Sequence, residues 1–241
     1  MFKIFSRKKR EIFNLAKMPK HVALNTGGIA RWAEKKNISL PDAYRRSFGT
    51  IEEIIKMQVK LGIPIITIYI LPEISKKSQH FSELLDGFVQ FLDKVSFGET
   101  VNKNKIKVTV LGKWYDLPGR VVEHIKSVIE ETKDYDSFFL NFCVNYDGRE
   151  EIVDACRLMA KEVQMKKLSP ESITKDTVKE NIYSSYFIPP DLIIKSGARR
   201  EQGSLLLWDC PFSYLYFTDM LFPEIDKDDI LKAIKEYQKH R

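Results

Sequence analysis

The sequence predicts an α/β fold: a single domain with a mostly parallel central sheet and helices on both faces. Three observations lead to this prediction. Apolar stretches typical of strands alternate with amphipathic stretches typical of helices along the chain. Residues 64–71, PIITIYIL, are apolar and rich in β-branched side chains, which is typical of a parallel strand covered on both faces. The 241 residues are 44% hydrophobic, which is sufficient for a substantial core.

The predicted elements follow one another in regular order. HVALN at 21–25 has the apolar character of a short buried strand, the TGG after it is a turn, and IARWAEKK opens a helix. Apolar residues recur at three- and four-residue steps over 47–62, where Gly62 supplies a C-cap. The further predicted strands are 64–71, 105–112, 137–146, 191–197 and 204–208. The further predicted helices are 81–95, 120–133, 148–167, a short helix within 174–185, and 226–240.

Acidic residues cluster around the start of the last predicted helix. Carboxylates in this place offset the positive end of the helix dipole, so we predict a capping role for them. The group comprises Asp219, Glu224, Asp226, Asp228 and Asp229. The 4 histidines stand alone, and the 3 cysteines are widely spaced without a CxxC, so neither residue type predicts a metal site or a disulfide framework.

The formal net charge of +6 is concentrated at the start of the chain. Residues 1–20 hold seven basic side chains and one acidic one, mixed with bulky apolar residues, and the rest of the chain is neutral. We therefore predict a basic amphipathic N-terminal segment at 1–17 that binds an anionic membrane surface, followed by one domain at 18–241. A solvated helix packed on the domain is the alternative. A nucleic-acid partner is not expected, because the body supplies no basic groove.

No apolar stretch reaches the ~18 to 20 residues of a membrane-spanning helix. The basic start is not followed by an apolar signal region or a small-residue cleavage site. The expected location is cytoplasmic, with peripheral association at a membrane.

The turn between the first strand and the first helix has the chemistry of an anion site. Backbone N–H groups at a helix N-terminus and the helix dipole favour negative charge, so Gly27-Gly28 with Arg31 fits a phosphate or a diphosphate. The alternative is that the turn requires glycine for conformational reasons alone. The sequence contains no GxGxxG, Walker A or GxSxG motif.

Four segments, HVALNTGGIARWA, NFCVNYDGREEIV, PPDLIIKSG and LLLWDCPFSYLYFTDMLFPEID, together resemble the cis-prenyltransferases, the undecaprenyl diphosphate synthase family. The resemblance runs from about Pro19 to Tyr237. Members of that family extend an allylic diphosphate with isopentenyl diphosphate, use Mg²⁺ and a long apolar tunnel, and act as dimers, and the resemblance by itself implies the same for this chain.

The chain departs from the family motifs at the positions of charge. Gly27 stands where HVAxxMDGNGRWA has the Mg²⁺-binding aspartate, and Tyr214 stands for the second metal-site glutamate, so both carboxylate ligands are missing. Glu201 replaces an arginine of the third motif. Residues 71–77 replace the FSxENWxR loop. By the same comparison, the diphosphate-binding candidates are Gly28, Arg31, Trp32, Arg46, Lys195, Arg199 and Arg200.

These departures predict a non-catalytic or weakly catalytic subunit that pairs with an active homologue, or with itself, in the synthesis of polyprenyl diphosphate for dolichol-type glycosyl carrier lipids. An atypical active prenyltransferase, or an enzyme that processes prenyl diphosphates, is the alternative, and an apolar-ligand or lipid-binding protein is the third. A run of apolar and aromatic residues is expected to form the subunit interface. It comprises Leu205, Leu206, Leu207, Trp208, Phe212, Tyr214, Tyr216 and Phe217.

Overall fold

A computed structural model describes residues 14–72 and 77–241. Within these residues, six strands form one all-parallel sheet in the order β3-β4-β2-β1-β5-β6. The strands are β1 His21–Asn25, β2 Ile65–Pro72, β3 Ile106–Leu111, β4 Phe138–Tyr146, β5 Leu192–Lys195 and β6 Tyr214–Phe217. The helices are α1 Ile29–Lys36, α2 Leu40–Leu61, α3 Phe81–Ser96, α4 Glu99–Lys103, α5 Gly119–Glu131, α6 Gly148–Gln164, α7 Lys175–Asn181 and α8 Lys227–Lys239. The predicted fold is confirmed.

The first strand lies near the middle of the sheet, between β2 and β5. In register, Ala23 pairs with Thr67 on one side and with Ile193 on the other. The chain fills one side of the sheet with β2, β3 and β4 and then returns past β1 to add β5 and β6. Such a reversal leaves a crevice at the carboxyl ends of the two strands between which it occurs, here β1 and β5, where ligands bind in open α/β sheets.

The larger core lies on the face of the sheet that α1, α2, α3, α5 and α8 cover. Helix α2 begins at a Ser39 cap, whose side chain accepts from the Asp42 N–H at 3.2 Å, and ends before Gly62 at φ 65°. Helix α8 is capped by Asp226, whose carboxylate accepts from the N–H groups of Asp228 and Asp229. The predicted Gly62 cap is confirmed, as is the capping role of Asp226 with Asp228 and Asp229 in the first turn. The same role predicted for Asp219 and Glu224 is wrong, because Asp219 lies 3.9 Å from Arg200 and Glu224 pairs with Lys36 at 3.4 Å.

The second face of the sheet has a smaller core, formed in part by segments between the regular elements. Phe187, Leu205 and Leu206 pack there against strand residues. The prediction of a strand at 204–208 is wrong, because these residues form turns and Leu206 has a left-handed φ of 48°. The interface role predicted for Leu205 and Leu206 is also wrong, since both side chains are at most 1% exposed within the single chain.

A chain of polar side chains crosses four strands on this second face. Thr109 donates to the amide oxygen of Asn141, and the Asn141 amide donates to the Thr67 hydroxyl at 3.1 Å. The Thr67 hydroxyl lies 2.8 Å from Nε2 of His21, and Nδ1 of His21 lies 2.6 Å from the Ile188 carbonyl oxygen. Because that carbonyl only accepts, Nδ1 carries the proton and Thr67 donates to Nε2. We call these four residues the polar ladder.

Residues 14–17 pack against the last helix, where the Gln238 amide donates to the Asn14 carbonyl at 2.9 Å. Most of the predicted membrane-binding segment 1–17, namely residues 1–13, lies outside the described residues, so that segment stays a prediction. Among the residues described, no helix is both long enough and apolar enough to cross a bilayer.

Candidate anion-binding site

A cleft of about 380 Å³ opens at the carboxyl ends of β1 and β5. Its walls are the β1–α1 turn and the loop that follows β5. The lining residues are Asn25, Gly27, Gly28, Ala30, Arg31, Lys195, Ser196, Gly197, Arg199, Glu201 and Gly203. The structure thus brings together four of the predicted diphosphate-binding residues, Gly28, Arg31, Lys195 and Arg199.

The two walls touch through backbone and glycine. The Gly27 N–H donates to the Ser196 hydroxyl at 2.9 Å, and that hydroxyl donates to the Asn25 carbonyl at 2.8 Å. A Cβ atom added to Gly27 would lie 2.1 Å from the Ser196 carbonyl oxygen. A side chain at position 27, where the family motif carries its metal-binding aspartate, would therefore force the β1–α1 turn and the Ser196 backbone apart.

The N-terminus of α1 faces this contact. Gly28, the N-cap, has a left-handed φ of 88°, and no side chain of residues 14–72 or 77–241 caps the first-turn N–H groups. Arg31, in that first turn, donates through its guanidinium to the carbonyl oxygen of Gly197. One wall of the cleft therefore offers free N–H donors beside a guanidinium held by the opposite wall, an arrangement that favours an anion.

Lys195 ends β5 and is only 5% exposed. Its ammonium donates to the carbonyl oxygen of Gln202. Burial lowers the pKa of Lys195, and the nearby Glu201 carboxylate acts in the opposite direction. Glu201 also lies 3.7 Å from the Arg199 guanidinium, with both side chains more than half exposed at the mouth of the cleft.

The charge of the lining does not fit a magnesium site. Three of the lining residues are cationic, Arg31, Lys195 and Arg199, and within the described part of the chain Glu201 supplies the one carboxylate. Mg²⁺ requires oxygen ligands, usually including carboxylates, and would here face three positive charges. An anion suits this set better than a divalent cation does.

Three further predicted residues do not line the cleft. Arg46 lines a different cavity of about 510 Å³ between α2 and the start of α8. Trp32 packs against the larger core, and Arg200 lies 3.9 Å from Asp219. The structure therefore does not group these three residues with Gly28, which corrects the prediction. The side on which each side chain leaves its helix or loop is set by packing.

Tyr214, at the second lost metal position, begins β6 beside Leu192, at the opposite end of β5 from Lys195. Its ring stacks on His240 with centroids 5.1 Å apart. Within one chain, Gly27 and Tyr214 therefore belong to different ends of the sheet.

Sequence reasoning missed Ser196 and Gly197 as cleft residues. Both directly follow β5, so the rule that ligands bind at the carboxyl ends of parallel strands is the signal that identifies them.

An aromatic cluster fills the space between α2, α3 and β4. It comprises Tyr44, Phe48, Phe88, Phe91 and Phe142, none more than 8% exposed. The rings of Phe48 and Phe91 stack with centroids 4.8 Å apart. Separate cavities of about 310 Å³ and about 200 Å³ lie at either end of the cluster. The cluster packs α2 and α3 against β4.

Comparison with known proteins shows which family this chain resembles. A family model described as "Putative undecaprenyl diphosphate synthase" matches residues 26–241. The chain is 30% identical over 241 residues to the geranylgeranyl-diphosphate-specific tritrans,polycis-undecaprenyl-diphosphate synthase of Methanopyrus kandleri, covering 99% of this chain and 89% of that protein. It is 31% identical over 226 residues to the isoprenyl transferase of Thermotoga maritima, covering 92% and 95%.

Among solved structures, lavandulyl diphosphate synthase from Lavandula x intermedia, in complex with dimethylallyl diphosphate, superposes with a TM-score of 0.88 at 26% identity. The match covers 92% of this chain and 96% of that one.

Proposed function

The chain belongs to the undecaprenyl diphosphate synthase family, and from this premise we propose that it is a non-catalytic or weakly catalytic subunit in polyprenyl diphosphate synthesis, working beside an active homologue. The observation that carries the proposal is the contact at Gly27. The position that bears a metal-binding aspartate in the family motif is closed by the Ser196 carbonyl, which an added Cβ would approach to 2.1 Å.

Loss of this carboxylate bears directly on the chemistry. Departure of a diphosphate from an allylic carbon needs metal and cationic groups where negative charge develops, each worth several kcal/mol. Every ~1.4 kcal/mol lost slows the reaction tenfold.

Exposed apolar side chains in the segments before β5 and β6 support association with a partner. Phe212 is 89% exposed, Tyr186 is 76% exposed and Ile188 is 47% exposed. They lie on the segments whose other residues, Phe187 and Leu205, form the second-face core. We propose that this side of the molecule binds a catalytic homologue, or a second copy of the chain when no homologue is present.

An isopentenyl diphosphate incorporation assay tests the proposal. The samples are this chain alone, a homologue with an intact DGNGRWA motif alone, and the two together, each with farnesyl or geranylgeranyl diphosphate and Mg²⁺. We expect no product from this chain alone and more product from the pair than from the homologue alone. Robust Mg²⁺-dependent synthesis by the purified chain would contradict the proposal.

The second candidate is an atypical active prenyltransferase or an enzyme that processes prenyl diphosphates. The cluster of Arg31, Lys195 and Arg199 favours it, because three cations can stabilise a leaving diphosphate in part without a metal carboxylate. Product made by the chain alone, and lost in a Lys195→Ala variant that still folds, would favour this candidate.

We further propose that residues 1–17 hold the protein peripherally on anionic membranes, since a polyprenyl product must be exchanged with lipid. The concentration of basic and bulky apolar residues in this segment supports the proposal.

A further inference from the structure

We propose that Glu201 is a built-in counter-anion of the cleft: its carboxylate neutralises part of the cationic lining when the cleft is free, and a phosphate-bearing ligand must displace it. The inference rests on the proposed function in one respect, since it assumes that the cleft binds phosphate anions.

The loop after β5 brings the carboxylate to the cations. The Lys195 ammonium donates to the carbonyl of Gln202, the residue that follows Glu201, so the loop folds back over the end of its own strand. A Cβ atom added to Gly203 would lie 3.3 Å from the same ammonium. Glu201 thereby enters the lining beside Lys195 and Arg199.

The pairing is suited to displacement. Arg199 and Glu201 are 80% and 66% exposed and 3.7 Å apart, which describes a solvated pair of small stability. A diphosphate carries several negative charges, whereas Glu201 carries one. The ligand can therefore replace the carboxylate on Arg199, while Arg31 and the α1 N–H groups remain as further donors.

This arrangement sets a threshold on ligand charge. A singly charged anion gains little by replacing Glu201, because it exchanges one carboxylate-like contact for another. A multiply charged ligand gains interactions with Lys195 and Arg31 in addition to Arg199. The cleft should therefore discriminate between mono- and polyanions more strongly than its cations alone would.

The test is calorimetric binding of inorganic pyrophosphate to the full chain at 0.1 M salt, once with EDTA and once with Mg²⁺. The variants are Glu201→Gln, Arg199→Gln and the double variant, and Glu180→Gln on α7 is the matched control for net charge. We expect Glu201→Gln to tighten binding about tenfold in EDTA and Glu180→Gln to change it less than about twofold. Arg199→Gln should weaken binding less in the wild type than in the Glu201→Gln background. In the wild type, the contact that the ligand gains with Arg199 is partly offset by loss of the Arg199–Glu201 pair, whereas in the Glu201→Gln background it is gained in full.

Three results would overturn the inference. Equal effects of Glu201→Gln and Glu180→Gln would reduce the role of Glu201 to general charge. Weaker binding by Glu201→Gln in Mg²⁺ would identify the carboxylate as a metal ligand. No pyrophosphate binding by any variant that retains a wild-type melting temperature would remove the anion site itself. The proposed subunit role would survive each of these results if the chain still stimulates an intact homologue in the incorporation assay.

Discussion

Replacing Glu151 with glutamine should expose a pH dependence of stability that the wild-type protein hides. Glu151 is fully buried in the first turn of α6, where it accepts from the Tyr146 hydroxyl at 2.5 Å and the Ser184 N–H at 3.2 Å. Burial raises its pKa from 4.5 to about 7. Burial also lowers the pKa of His21, in the polar ladder, from 6.5 to about 4.

The two shifts act in opposite directions over the same range of pH. The Glu151 pKa is raised in the folded state, so its contribution to the free energy of unfolding is full below pH 4.5 and is lost as the pH rises through about 7. The His21 pKa is lowered, so its contribution is full above pH 6.5 and is lost as the pH falls through about 4. Each change is worth about 3 kcal/mol, and between pH 4.5 and 6.5 the two nearly cancel.

Urea unfolding followed by circular dichroism at several pH values from 4.5 to 7 measures the effect. The free energy of unfolding of Glu151→Gln minus that of the wild type should rise by about 3 kcal/mol across this range, because only the wild type loses the Glu151 contribution. Glu150→Gln, which removes the 41% exposed carboxylate paired with Lys113, is the control and should give a smaller change. A difference that stays constant with pH would refute the reasoning, since Glu151 would then ionise in the fold as it does in the unfolded chain.

Three further predictions follow from the cleft, the second face and the N-terminal segment. Gly27→Asp should lower the melting temperature and leave isopentenyl diphosphate incorporation at background. Gly27→Ala should also lower the melting temperature, because both variants add the Cβ that meets the Ser196 carbonyl. A gain of activity in the aspartate variant would show that the loops separate readily. Phe212→Ser should weaken self-association in light scattering, or binding to an intact homologue, with little change in melting temperature because the ring is 89% exposed. Unchanged association would show that the partner binds another surface. Deleting residues 1–17 should reduce flotation with anionic liposomes. Raising the salt from 0.1 M to 1 M shortens the Debye length from ~10 Å to ~3 Å and should release the full chain only in part. Equal flotation of the deleted and full chains would contradict the membrane proposal.

The sequence predicts those elements whose signals are local. The β-branched run of β2, the glycine after α2 and the aspartate cap of α8 are all written within a few residues of the element they define. The segment 204–208 lacks such a signal. Its leucines resemble a strand, but the Leu206 N–H donates to the Tyr146 hydroxyl, 60 residues away, and that contact fixes a turn. The true sixth strand, Tyr214–Phe217, is only four residues long and lies at the sheet edge.

The site follows the same division. Gly28 lies in the turn after β1, Arg31 in the first helical turn after it and Lys195 at the end of β5, so topology brings them together as soon as the strand order is known. Arg46 lies within α2, and its direction depends on how that helix packs against α8, which no local pattern specifies.

The polar ladder bears on how the chain finds its pairing during folding. Most residues of these strands are apolar, and one apolar side chain can replace another in a slipped register at modest cost. A slip of one residue would move Thr67 or Asn141 to the opposite face and separate it from its partners. Each buried group left without a partner costs about 1–3 kcal/mol. The ladder therefore acts chiefly against competing alignments, so that the four strands it crosses, which carry little other positional information, still pair in one register.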